Sequence, residues 1–194
     1  MNRTRLAAWY ALALIAGIAS AWLWLTRVGP SGVDAGVWRV NLLAGSPNAD
    51  AYTRARVALG ALLALDRRET LYYIARTDER GEPLRANCRY RLNGPVPAAR
   101  WWSVTAYAED FFLFANEQRR YSVNGQTAVL DAQGRFAFVT GPVAPAAGES
   151  LTWLPTPGDR GLVFTLRVYI PDPALAAAPG TLQPPTIEPQ GACP

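Results

Sequence analysis

Histidine and lysine are both absent from this sequence, and cysteine occurs only at Cys88 and Cys193. Without imidazole, the chain cannot build a Ser-His-Asp or Cys-His nucleophile system or a two-histidine zinc site. Two cysteines so far apart fit neither a zinc cluster nor a CxxC redox pair, and no glycine-rich phosphate loop follows a strand pattern. We therefore expect no metal and no organic cofactor. Only carboxylates, tyrosine, arginine and hydroxyl groups remain for catalysis.

The part of the chain beyond the N-terminal segment also lacks an excess of basic charge. The net charge is +4, but three of the 19 basic residues, Arg3, Arg5 and Arg27, flank an apolar run near the N-terminus. The remaining 16 arginines nearly balance the 15 acidic residues. Nucleic-acid binding needs basic side chains massed on one face, so we expect no nucleic-acid partner.

The apolar run from Leu6 to Leu25 is uncharged. Twenty helical residues at roughly 1.5 Å rise cover about 30 Å, the thickness of the hydrocarbon core of a bilayer. Trp22 and Trp24 lie at one end of the run and Trp9 towards the other, as in an interfacial aromatic belt. Residues 1–27 are therefore predicted to be a transmembrane anchor, with the membrane as a partner.

A cleaved signal peptide is the alternative, because Ala19-Ser20-Ala21 is an acceptable small-x-small cleavage site. We favour the retained anchor because the apolar run continues past that site to Leu25. Arg3 and Arg5 outweigh Arg27, which predicts a cytoplasmic N-terminus. The rest of the chain is then periplasmic, on a single-pass protein of the inner membrane.

A change of sequence pattern follows this segment. We predict a linker at 28–47, a β domain at 48–188 and a tail at 189–194, with proline concentrated beyond Pro171. Within the β domain, Asn48 or Asp50 is predicted to cap an amphipathic helix from Ala51 to about Arg67. Segments rich in β-branched and aromatic residues then predict strands at 71–77, 88–92, 101–107, 111–115, 120–123, 127–130, 136–140 and 162–170.

Turn residues separate these strands. Asn124-Gly125, Asp131 to Gly134 and Asp78 to Gly81 supply residues that suit hairpin turns. A calcium loop over residues 78–82 is a weaker alternative, because the alternating oxygen ligands and the closing glutamate of a recognised loop are missing. Short strands with such turns predict a mainly β, antiparallel sandwich or barrel-like domain.

The two cysteines invite one disulfide, because the predicted compartment is oxidising. A bond between Cys88 and Cys193 would fix the proline-rich tail. Two unrelated thiols are the alternative that the sequence leaves open, since the distance between them in the fold decides the matter.

Several blocks of the chain resemble one bacterial family, the domain of unknown function 1214. They are LYYIARTDERGEPLRANCRYRL at 71–92, WWSVTAYAEDFFLFAN at 101–116, RRYSV at 119–123, TWLPTP at 152–157, LRVYIPDPAL at 166–175 and LQPPTIE at 182–188. The resemblance implies an antiparallel β domain of sandwich or jelly-roll type. In that family the domain is often joined to a second one of unknown function, so we expect this chain to be a short, membrane-anchored version.

The polar and aromatic residues of these blocks are the candidate ligand-binding residues. They are Trp101, Tyr107, Asn116, Arg120, Tyr121, Trp153, Arg167 and Tyr169. Strand alternation puts Arg167 and Tyr169 on one face, where a guanidinium and a phenol could meet an anionic or carbohydrate ligand. The alternatives are tryptophans that belong to the core and an Arg167 that stacks on aromatics and pairs with Glu69 or Asp110.

These candidates favour a binding or interaction role in the cell envelope, with a glycan, a lipid or a protein as partner. The rival is an enzyme that acts on glycan or another envelope polymer by carboxylate chemistry. Glu109 and Asp110 are adjacent, so on a strand they face opposite sides and do not form the facing pair that this chemistry needs. We therefore assign no catalytic residue, and a purely structural domain is the third possibility.

Overall fold

The computed structural model describes residues 2–27, 32–60, 62–146 and 151–193. Its ten strands are β1 (Gly32–Ala35), β2 (Trp38–Asn41), β3 (Thr70–Ala75), β4 (Tyr90–Pro95), β5 (Ala99–Ala108), β6 (Ser122–Asn124), β7 (Arg135–Gly141), β8 (Thr152–Pro155), β9 (Leu162–Pro171) and β10 (Thr186–Pro189). Its helices are α1 (Arg3–Arg27), α2 (Ala51–Leu59), α3 (Pro173–Ala177) and a 3₁₀ turn at Pro179–Thr181.

The strands form two sheets. The larger has six strands in the order β1-β2-β3-β9-β5-β6, all antiparallel, and the smaller has four in the order β10-β4-β7-β8, where only β7 and β8 are parallel. The long strand β9 lies between β3 and β5 and pairs with both. The mainly β, antiparallel two-sheet architecture confirms the predicted fold class, whereas the jelly-roll connectivity is not confirmed.

Both sheets contribute to one hydrophobic core. Along β5, Trp102 and Val104 are buried, while Trp101 and Ser103, which precede them, are only partly buried, so alternate residues enter the core. The Trp102 ring stacks on Phe136 of β7 with 4.3 Å between ring centroids. This pair joins the two sheets, because aromatic contacts add to the burial of large apolar surfaces.

The helix α1 is a candidate membrane span. Its window Arg3–Thr26 is long and apolar enough to cross a bilayer, with none of it buried against the rest of the protein. Such a helix is compatible with single-pass anchoring and also with a signal sequence.

The linker prediction for 28–47 and the extent of the following helix both need correction. Residues 32–41 form the hairpin β1–β2 on the edge of the large sheet, where Trp38 and Val40 are buried; residues 28–31 lie outside the described residues. The helix begins after Asp50 as predicted, since this carboxylate accepts hydrogen bonds from two backbone N–H groups and the Thr53 hydroxyl. It ends at Leu59 instead of Arg67, with Gly60 at its C-terminus.

Two predicted strands, 111–115 and 127–130, are not strands. The chain reverses after β5, where Phe111 has a φ of 64° and donates its N–H to the Ala108 carbonyl. At 127–130 the N–H groups of Thr127 and Ala128 are bonded to the Asn124 carbonyl in a tight turn. Each segment keeps a single bridge to a neighbouring strand, so local turn hydrogen bonds replace the ladder.

The predicted turns form with one difference. Gly81 and Gly134 have φ values of 82° and 72°, and in each turn the preceding aspartate accepts backbone hydrogen bonds. Gly125 does not take a positive φ. The Asn124 side chain, which accepts from two backbone N–H groups, forms that turn without it.

The proline-rich segment from Pro171 to the C-terminal tail lies across the domain in short elements. The Tyr73 hydroxyl donates to the Pro179 carbonyl at 2.8 Å, and Trp38 Nε1 donates to the Pro185 carbonyl at 2.7 Å. Burial raises the pKa of the Tyr73 phenol, so this group stays a hydrogen-bond donor. At the end of the tail, Cys193 is bonded to Cys88, which confirms the predicted disulfide.

Candidate functional site

The outer side of the large sheet collects polar and aromatic side chains on the neighbouring strands β5 and β9. The register pairs Trp101 with Tyr169 and Ser103 with Arg167 across β5 and β9. Strand alternation puts Thr105 and Tyr107 on the same side. We call this surface the Arg167 face; it comprises Trp101, Ser103, Thr105, Tyr107, Arg167 and Tyr169.

Arg167 is held on this face by hydroxyl groups. Its Nη1 donates to Thr105 Oγ1 at 3.2 Å and its Nη2 donates to the Tyr107 hydroxyl at 3.0 Å. The guanidinium carbon also lies 5.5 Å from the centroid of the Tyr107 ring, within the range of a cation–π contact. These contacts fix the orientation of the guanidinium, and no described carboxylate neutralises its charge.

Neither predicted carboxylate partner reaches Arg167. Asp110 is paired with Arg160 instead, and no ion pair joins Arg167 to an acidic residue within the described part of the chain. The alternative prediction for Arg167 is stacking on an aromatic ring together with an ion pair to Glu69 or Asp110. The stacking is present, on Tyr107, and the ion pair is not. A partly buried, oriented and unneutralised guanidinium is a donor suited to an anion.

Two elements from elsewhere in the chain border the Arg167 face. Tyr72 of β3 donates its hydroxyl to the Leu63 carbonyl and accepts from the Leu65 N–H, so the segment after α2 crosses the sheet beside the face. Phe111 closes another side, with its ring centroid 6.3 Å from that of Tyr107. The sequence analysis assigned neither residue to the site, because it predicted a strand at 111–115 and a helix over the segment that Tyr72 binds.

Asn116, Arg120 and Trp153 form a separate group at the sheet edge. Asn116 Oδ1 accepts from the Arg120 N–H at 3.0 Å, and Arg120 Nη1 donates to the Trp153 carbonyl at 2.8 Å. Trp153 Nε1 in turn donates to the Gly141 carbonyl at 3.1 Å. Tyr121, just before β6, contributes its carbonyl to Ala106. These contacts tie the loop before β6 to β8, so the structure gives this group a local structural role.

The Arg167 face carries no acidic side chain. The outward positions of β3, β9 and β5 hold Thr, Tyr, Ile, Val, Arg, Trp and Ser residues. No group of three or more Cys, Asp or Glu residues suited to a metal ion occurs within the described ranges. The face therefore supplies positive charge, hydroxyls and aromatic rings, which are groups for binding and orienting.

Two depressions of the described surface lie away from this face. One of about 260 Å³ is bordered by Val96 and Leu182, and one of about 360 Å³ lies between Arg68 and Pro173. Both are open to solvent and shallow. No residue of the Arg167 face lines either depression; Thr105 is buried, and the other five residues of the face are half-buried.

Comparison with known proteins gives a family and a fold. No curated protein matches the chain. The VPA0106 protein from Vibrio parahaemolyticus has a similar structure, with a TM-score of 0.61 and 24% identity over 74% of this chain and 36% of that one. An uncharacterised protein from Burkholderia cenocepacia gives a TM-score of 0.42 and 20% identity over 62% of this chain and 29% of that one. This chain thus spans about a third of the length of these proteins.

The family model for proteins of unknown function DUF1214 matches residues 69–173, from the start of β3 to the end of β9. The match contains all the strands that form the Arg167 face and more than half of the chain. The chain therefore belongs to the DUF1214 family.

Proposed function

We propose that the protein is a membrane-anchored component of the cell envelope whose β domain binds an anionic, carbohydrate-like envelope molecule on the Arg167 face. The anchor is α1, retained in the inner membrane with its N-terminus in the cytoplasm. The β domain is then periplasmic. The length of α1, its mean hydropathy of 1.8 and its arginine flanks support this placement.

The binding proposal rests on Arg167, which two hydroxyl groups orient and which has no carboxylate partner among the described residues. A guanidinium has five N–H donors, and the two that bind Thr105 and Tyr107 leave others to meet a ligand. Trp101 and Tyr169, paired across neighbouring strands, offer ring surface beside this charge. A saccharide that carries a carboxylate or phosphate presents both features, an apolar ring face and an anion.

The face gives no support to the rival function of glycan cleavage. Glycoside hydrolysis uses two carboxyl groups that flank the scissile bond. None of the outward positions on the three central strands is acidic. Asp110, at the end of β5, is committed to Arg160. Binding is accordingly the function that the geometry supports best.

Removal of the guanidinium tests the proposal. In a thermal-shift screen of anionic envelope glycans against the full chain in detergent, we expect Arg167→Ala to weaken binding of the stabilising ligand by roughly tenfold or more, since a charge-assisted hydrogen bond contributes about 1.5–3 kcal/mol. Arg100→Ala is the matched control. Arg100 is an exposed arginine of the same sheet, and because it is adjacent to Trp101 on β5, its side chain is directed away from the Arg167 face.

The Tyr169→Phe variant separates the phenol from the ring. We expect a smaller loss than for Arg167→Ala, since only one hydroxyl is removed and the aromatic surface stays. Near-ultraviolet circular dichroism confirms that each variant is folded. Equal stabilisation of the wild type, Arg167→Ala and Arg100→Ala by the same ligand would show that its binding site is elsewhere.

The membrane topology has its own expected result. A reporter fused after the last residue should be active only if the reporter works outside the cytoplasm, because Arg3 and Arg5 hold the N-terminus inside. The Arg3→Glu/Arg5→Glu double variant removes that bias and should reduce the exported activity. A fusion active in the cytoplasm contradicts the topology, and a soluble fragment that begins near Trp22 would identify a cleaved signal peptide.

A further inference from the structure

The C-terminal end of α1 is bound by α2. Arg56 of α2 donates through Nη2 to the carbonyl oxygens of Trp24 and Leu25. The last carbonyls of a helix have no partner within it and carry the negative end of its dipole. The indole of Trp24 also contacts the Tyr52 ring, with 6.1 Å between centroids. A charged and an aromatic contact thus fix α2 beside the point where α1 ends.

One side of α2 is directed towards this contact. Tyr52, Arg56 and Leu59 are spaced by four and three residues, so they lie on the same side of the helix. Thr53, a quarter of a turn away, is buried against the body of the domain. Leu59 continues the side that contacts α1, and 62% of it is exposed.

The exposed apolar surface continues past α2. Leu63 is 95% exposed and Leu65 is 50% exposed. The segment that carries them is fixed, because the Tyr72 hydroxyl binds its backbone at Leu63 and Leu65. Single exposed leucines are ordinary on a protein surface, but these follow α2, which contacts the end of a helix that has the length and composition of a membrane span.

We propose that α2 and the segment after it rest on the bilayer that α1 spans, with Tyr52, Leu59 and Leu63 in its interfacial layer. The inference rests on the retention of α1 as an anchor, which is part of the proposed function. The lipid surface is the occupant of this apolar side, because α2 contacts the C-terminal end of the membrane-spanning helix through Tyr52 and Arg56. Trp24 belongs to the interfacial aromatic belt, and its contact with Tyr52 puts α2 at the same depth.

This placement has a consequence for the ligand. Tyr72 connects the segment after α2 to the sheet beside the Arg167 face. A segment that lies on lipid therefore holds the face close to the membrane surface. The anionic ligand is then one presented at that surface, such as the head group of a lipid-linked saccharide.

Depth-dependent quenching on the full chain tests the proposal. Leu59→Cys and Leu63→Cys variants are labelled with a bimane fluorophore, which is selective because both native cysteines are in the disulfide. The protein is reconstituted in phosphatidylcholine–phosphatidylglycerol vesicles that contain lipids with a nitroxide near the head group. Val143→Cys is the matched control, since Val143 is 72% exposed in the loop after β7.

We expect the nitroxide lipid to quench the labels at 59 and 63 by at least about twofold more than the label at 143, as for side chains within the interface. Equal quenching at the three positions would overturn the proposal. A Leu14→Cys label within α1, read with a second lipid that carries its nitroxide deep in the acyl chain, identifies the failing part. If that label is quenched and the label at 63 is not, only the contact of α2 with lipid is wrong.

If the Leu14→Cys label is not quenched and the protein does not float with the vesicles, the anchor is wrong and this proposal falls with it. Ligand binding on the Arg167 face is measured separately in detergent, with Arg167→Ala and Arg100→Ala. A negative result there leaves the quenching experiment unaffected, and the reverse also holds.

Discussion

Cys193→Ser is expected to lower the free energy of unfolding by about 4 kcal/mol. The Cys88–Cys193 disulfide joins residues 105 positions apart, and loop-closure entropy for a loop of this length accounts for about 4–5 kcal/mol. Cys88 is buried in the shared core, whereas Cys193 is in the exposed tail. The substitution at 193 therefore removes the bond without placing a hydroxyl in the core.

The measurement is guanidinium unfolding of the full chain in detergent, followed by tryptophan fluorescence. Ala192→Ser is the matched control, since it adds the same hydroxyl to the neighbouring exposed position and leaves the bond intact. The wild type under reducing conditions should unfold at the same denaturant concentration as Cys193→Ser. A decrease below about 1 kcal/mol would show that the hydrogen bonds of the tail hold it without the bond.

The tail shows why part of the fold was predictable from composition and compartment. Two cysteines and a predicted oxidising compartment predicted the disulfide, and the prolines beyond Pro171 excluded a long strand or helix there. The hydrogen bonds from Trp38 and Tyr73 to tail carbonyls left no trace in the sequence. They depend on the approach of segments more than a hundred residues apart.

The long strands were predicted because they carry their own pattern. The strands β5 and β9 are ten residues long each and rich in aromatic and β-branched residues, which is enough to define a strand, and successive residues of a strand face opposite sides. The hairpin β1–β2 and the short strands β8 and β10 have four residues each. A segment of four residues becomes a strand only through its pairing with a neighbouring strand. Trp38 of β2, for example, pairs with Ala75 of β3.

The same contrast explains the candidate site. Alternation put Arg167 and Tyr169 on one face of their strand, and only the register of β5 with β9 in the structure adds Trp101 and Tyr107 to that face. Arg120 and Trp153 were grouped with them only because they occur in the same family-like blocks. The structure joins them through backbone carbonyls at the edge of the sheets, and backbone acceptors are invisible in the pattern of side chains.

Alanine at Trp102 should lower the free energy of unfolding much more than alanine at the adjacent Trp101. Trp102 is 3% exposed and stacks on Phe136 between the sheets. We expect Trp102→Ala to lower the free energy of unfolding by about 3–5 kcal/mol, because the removed ring leaves a cavity in a close-packed core. Trp101 is only partly buried, opposite Tyr169 on the outer face, so Trp101→Ala should cost about 1 kcal/mol.

Ligand affinity should show the reverse order. Trp101→Ala removes ring surface beside Arg167 and should weaken the ligand that Arg167→Ala weakens, since stacking on an aromatic ring contributes about 1 kcal/mol or more. Trp102→Phe, which keeps an aromatic ring against Phe136, should retain both affinity and most of the stability. The measurements are guanidinium unfolding and ligand titration on the wild type and on the Trp101→Ala, Trp102→Ala and Trp102→Phe variants.

A one-residue shift in the pairing of β5 would exchange the two results, because it moves every side chain to the other face of the sheet. A larger loss of stability in Trp101→Ala than in Trp102→Ala would therefore contradict the register of Trp102 with Val168 and of Trp101 with Tyr169. If the stabilities follow the expected order but Trp101→Ala binds like the wild type, the fold is correct and the ligand contacts only the part of the face around Arg167.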